Sequence, residues 1–92
     1  PITSKHLELD GLRPNPALSQ VSVAFSLASR EPAVLELLDV TGRRAITREV
    51  ESLGPGRHVL LLAEGASLPA GVYWLRLRQG RETRSVRAVI VR

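Results

Sequence analysis

Ninety-two residues make a single domain, and without cysteine the chain has neither disulfides nor thiolate metal ligands, which excludes thiol chemistry. Apolar residues at 43% and charged residues at 24% describe a globular chain rather than a disordered one, although the aromatics stop at Phe25, Tyr73 and Trp74. The net charge of +4 is uneven: residues 76–92 carry six arginines against Glu82 (+5), whereas the first 75 residues carry seven basic and eight acidic groups (−1).

In chain order, alternating apolar runs separated by turn residues predict seven strands, at about 4–10, 20–28, 33–40, 44–50, 57–63, 72–79 and 83–91. Pro14-Asn15-Pro16 follows the first strand, and Pro16 forces Asn15 out of the helical region, giving a stiff extended entry to the second. That second strand, Val21 to Leu27, alternates large and small residues as a half-buried strand requires. Asp39 precedes Thr41-Gly42, where a carboxylate accepts backbone N–H groups and glycine takes positive φ. Asp10, at the end of the first strand, is read in the same way. Between Arg43 and Leu53 the spacing of Ile46, Val50 and Leu53 fits a short helix as well as a strand, but its strand neighbours favour a strand. Near the end, Tyr73, Leu75 and Leu77 lie on one strand face, with Trp74, Arg76 and Arg78 on the other. Val86, Ala88 and Ile90 oppose Arg87, Val89 and Val91.

No helix of useful length is present to cover these strands, so two sheets must cover each other. The expected fold is an all-β, antiparallel β-sandwich of about seven strands over residues 1–92. Its expected core is Leu7, Leu9, Val21, Val23, Phe25, Leu35, Leu37, Val40, Leu60, Leu62, Tyr73, Leu75, Leu77, Val86, Ala88 and Ile90. No apolar run approaches the ~20 residues of a membrane-spanning helix.

Little in the chain points to catalysis. His6 and His58 are far apart and have no i, i+4 partner, no acidic run resembles a calcium loop, and no serine lies in a Gly-x-Ser-x-Gly elbow. No metal, cofactor or catalytic residue is expected. The one combination with binding character is Trp74 beside Arg76 and Arg78, which suits stacking on a sugar or contact with an anionic polymer. The same residues also suit ordinary cross-strand packing on a solvated face. A single-stranded nucleic-acid binder would offer several aromatics in its basic groove, so nucleic acid is not expected as a partner.

Three stretches carry a family resemblance, taken in order. The first is Pro14-Asn15-Pro16-Ala17 with the strand through Val21 to Leu27, and the second is Leu35-Glu36-Leu37-Leu38-Asp39-Val40-Thr41-Gly42-Arg43-Arg44. The third is Leu68-Pro69-Ala70-Gly71-Val72-Tyr73-Trp74-Leu75-Arg76-Leu77 with the closing Ala88-Val89-Ile90-Val91-Arg92. Together they resemble the C-terminal sorting domain, type A, of cargo of the type IX (Por) secretion system, and the related Ig-like module of the flagellar hook-capping protein. The resemblance covers residues 8–92. Departures are Leu38, where the family has Tyr or Phe, and Arg84 and Arg87, where it often has lysine.

The resemblance implies an Ig-like sandwich forming the C-terminal module of a larger exported bacterial protein, secreted or held at the cell surface and outer membrane. Its implied partners are the outer-membrane export machinery and the parent protein's upstream domains, with surface polysaccharide as a further candidate. It associates recognition with the turn from Leu68 to Gly71 and the final strands from Val72 to Val91, and the candidate recognition residues there are Leu68, Pro69, Gly71, Trp74, Arg76, Arg78, Arg84 and Arg87. Two other expectations stand beside sorting: a carbohydrate-binding or adhesive module using the Trp74 face, and a structural spacer or assembly module pairing through an edge strand.

Overall fold

The structure, a computed structural model, describes residues 6–12, 20–64 and 68–91; the Pro14-Asn15-Pro16-Ala17 segment and Arg92 lie outside the described residues. Its strands are β1 (Glu8–Leu12), β2 (Gln20–Leu27), β3 (Ala33–Asp39), β4 (Arg44–Glu49), β5 (Gly56–Glu64), β6 (Gly71–Gln79) and β7 (Glu82–Ile90). They form a three-stranded sheet in the order β1-β2-β5 and a four-stranded sheet in the order β4-β3-β6-β7, with every neighbouring pair antiparallel. This is the expected Ig-like sandwich. β4 pairs with β3 rather than with β5, which gives the three-plus-four division. Tyr73, early in β6, donates its hydroxyl to the Pro69 carbonyl at 2.7 Å, the tyrosine-corner contact of such sandwiches.

The strand alternation places the core. Val21, Val23, Phe25 and Leu27 of β2 face Leu35 and Leu37 of β3 and Tyr73, Leu75 and Leu77 of β6, all buried between the sheets. Leu7, Leu62, Ala88 and Ile90 join them, and Leu9, Leu60 and Val86 pack against the cluster partly buried. In β1 a bulge between Leu9 and Gly11 inserts one residue, so the inward position moves to Leu12 instead of residue 11. Gly11 takes φ +112° at that bulge, and a Cβ there would meet the Val86 side chain at 3.5 Å. Asp10 therefore lies within the bulged strand and pairs with Arg57.

Val40 departs from the expected core: it is 72% exposed. β3 stops at Asp39 because its carboxylate organises the turn, with Oδ1 accepting hydrogen bonds from Thr41 N (2.9 Å), Thr41 Oγ1 (2.6 Å) and Arg43 N (3.0 Å). Gly42 closes that turn at φ +87° and donates its N–H to the Asp39 carbonyl. The ambiguous segment from Arg43 to Leu53 is β4 followed by one 3-10 turn, Glu51–Leu53. There Val50 is buried and donates its N–H to the Ala33 carbonyl, and Glu51 Oε1 accepts the Ala33 N–H at 3.1 Å.

Gln79, at the end of β6, is buried and fully bonded. Its Oε1 accepts from Ala28 N and Ser29 N, and its Nε2 donates to the Ser29 and Glu31 carbonyls. One amide therefore satisfies four backbone groups of the β2–β3 connection and ties it to the opposite sheet. His58 donates Nε2–H to the Gly54 carbonyl at 2.7 Å and sets its ring 5.7 Å from that of Phe25.

Two of these turn carboxylates link stability to pH. The Thr41 hydroxyl, followed by the Arg43 N–H, holds Asp39 below its ordinary value of 3.8, and the Ala33 N–H holds Glu51 below 4.5. A depressed folded-state pKa adds stability that is complete above the unfolded value and is lost as pH falls through the folded one. Thermal unfolding followed by circular dichroism should show a loss of Tm as pH drops below about 4 that is reduced in the Asp39→Asn, Glu51→Gln double variant. An identical acid-side decline in both proteins would contradict this linkage.

Candidate functional site

The outer face of the four-stranded sheet gathers four of the eight recognition residues expected from sequence. Cross-strand register aligns Leu38, Trp74 and Arg87 in one row, with Arg44 of β4 opposite Leu38. The next row aligns Thr47, Glu36, Arg76 and Ser85, and a third aligns Glu49, Val34, Arg78 and Thr83. Trp74, Arg76, Arg78 and Arg87 thus share one surface. Arg84 does not: it stands opposite the buried Leu77, on the other side of β7, and bonds to Glu82 at 3.3 Å. Leu68, Pro69 and Gly71 lie at the Tyr73 end of the sheet, where the tyrosine hydroxyl fixes Pro69.

At the centre of this face is Glu36 of β3, which sequence reading does not single out. Its side chain is completely buried under arginines. Arg76 donates from Nε at 2.9 Å and approaches with its terminal nitrogen at 2.8 Å, both to Oε1. Arg78 stands 3.6 Å from the same oxygen, and Arg44 stands 3.6 Å from Oε2. Oε2 is buried and accepts no hydrogen bond among the described residues. Three guanidinium groups therefore surround one carboxylate and hold its single negative charge in place. The remaining parts of those guanidiniums face solvent, with Arg44 63% and Arg78 48% exposed.

Around this ion cluster the surface is apolar as well as basic. Trp74 is 46% and Val72 40% exposed, and the exposed Val40 lies in the turn at the same end of the sheet. Four arginines (44, 76, 78 and 87) against Glu36 and Glu49 leave this face at +2. Among the described side chains of the other sheet's outer face, Glu8 and Asp10 outnumber Arg57 by one, and the arginine is paired with both. Burying a carboxylate is tolerable only while it is bonded, so removing the one arginine that hydrogen-bonds Glu36 is costly. Arg76→Ala should lower stability by about 2 kcal/mol, and Arg87→Ala by less than about 0.5 kcal/mol, in urea denaturation. Equal losses for the two variants would contradict this assignment.

Comparison with known proteins places the chain in a family. The family described as secretion system C-terminal sorting domain matches residues 12–92, from the end of β1 through the last strand. No curated protein and no solved structure matches the chain. The match supports the sorting-domain resemblance and does not bear on the flagellar hook-capping module. Residues 12–92 include the whole four-stranded sheet with its Pro69–Tyr73 corner and Trp74 face, and β2 and β5 of the other sheet, but only Leu12 of β1. The chain belongs to the secretion system C-terminal sorting domain family, the sorting module of type IX secretion cargo.

Proposed function

We propose that this domain is a non-catalytic C-terminal module that directs a larger exported protein through the bacterial outer membrane to the cell surface. The observation that carries this reading is the family match across residues 12–92. The roles of the polar side chains agree with it. Asp39 organises a turn, His58 braces the Gly54 carbonyl, Gln79 ties down a connection, and Glu36 is enclosed by arginines. Each serves the fold, and what remains outward is a surface for a partner to read. The family's implied partner is the export machinery, with the parent protein's upstream domains as neighbours.

The test is a reporter enzyme with a periplasmic signal, fused upstream of residues 1–92 and expressed in a bacterium that has type IX secretion. The reporter should become accessible to protease added outside intact cells, and the same reporter without the module should stay inside. Equal periplasmic retention of both would contradict the sorting role.

A further inference from the structure

We propose that the outer face of the four-stranded sheet, centred on Trp74 and the arginines around Glu36, is the surface through which the module docks. The occupant is a protein surface of the export machinery that is acidic around an apolar contact. This inference rests on the sorting function proposed above and adds which face is read and by what chemistry.

Charge is the first argument. The face carries +2, and its arginines present donor forks that match carboxylates. The opposite outer face also exposes large apolar residues, Val59 at 71% and Leu61 at 43%, but its one arginine is already paired with Asp10 and Glu8. Of the two outer sheet faces, as far as their described residues go, the Trp74 face is the one that joins exposed apolar area to uncompensated positive charge. Tryptophan and arginine are also the side chains most often found to dominate binding energy at protein interfaces.

Preorganisation is the second argument. Glu36 restrains the Arg76 guanidinium through two contacts on Oε1 and holds Arg44 and Arg78 nearby, so docking orders fewer long side chains. Among the described residues, Glu36 Oε2 is a fully buried acceptor without a hydrogen-bond partner. Arg44, 3.6 Å from that oxygen and largely exposed, is placed to donate to it when a partner covers the face and excludes water.

The apolar content selects a protein over a glycan. A sugar would need the indole and one or two forks, whereas Val72, Val40 and Trp74 together form an apolar end that a polypeptide surface would bury.

The experiment uses the full reporter fusion. Trp74→Ala combined with Arg87→Glu changes two exposed side chains outside the Glu36 contacts, and Val59→Ser serves as the matched control on the other sheet. The double variant should lower surface reporter at least about ten-fold with its Tm close to that of the parent, while Val59→Ser stays within about two-fold. A photo-crosslinking residue in place of Val72 should give an adduct during export that protease degrades. Normal export of the double variant, or a protease-resistant adduct carrying carbohydrate, would overturn the proposal. If the wild-type fusion itself fails to reach the surface, the sorting function falls and this inference falls with it; if only the double variant behaves as wild type, the docking face alone is wrong.

Discussion

Strands that are apolar on one side must find cover, and in this chain only another sheet can supply it. That constraint decides the architecture. Phe25, Leu35, Leu37, Leu75 and Leu77 have no exposure because each sheet serves as the other's lid. Burying one of these side chains is worth roughly 1.5–3 kcal/mol, so a few contacts between the layers account for much of what a small domain can hold. The turns then work within narrow limits. Asp39, Glu51 and Gln79 each satisfy backbone groups at a point where the chain leaves one strand for the next.

The same constraint shapes function. Once the inner faces are consumed, binding must use an edge or an outer face, and the two outer faces differ in chemistry. One pairs its charges internally; the other concentrates arginines around a single buried carboxylate and places the only tryptophan among them. A buried ion pair often contributes little net stability, and its better-attested use is to fix geometry. Glu36 fits that use, since it restrains guanidiniums that would otherwise sample many rotamers.

Much of this was legible from period-two alternation. Six of the seven strands fall within one residue of expectation at each end, because Val21-to-Leu27 and Tyr73-to-Arg78 alternate cleanly and glycine or proline marks their limits. The failures have local causes. Leu12 lies past the expected end of the first strand at residue 10, beyond a bulge at Asp10 that shifts the inward positions by one, and Val40 falls outside the core because the Asp39 turn ends β3 a residue early. Glu36 and Gln79 were illegible for another reason. Their burial depends on partners 40 and about 50 residues away, and a lone polar residue in an alternating run looks solvent-facing whether or not arginines close over it. Trp74, Arg76 and Arg78 share one face as alternation predicts, but cross-strand register was needed to add Arg44 and Arg87 to it.

The docking proposal, in which the fold uses up the interior and the export machinery reads the Trp74 face, can be tested on the module itself. Because Trp74 is the only tryptophan, acrylamide quenching of its fluorescence reports on that face alone, provided the module is mixed with outer-membrane vesicles whose own tryptophans are replaced by a non-fluorescent analogue. The account predicts ready quenching in the free module and marked protection with vesicles that contain the export machinery. Equal quenching in both would contradict it.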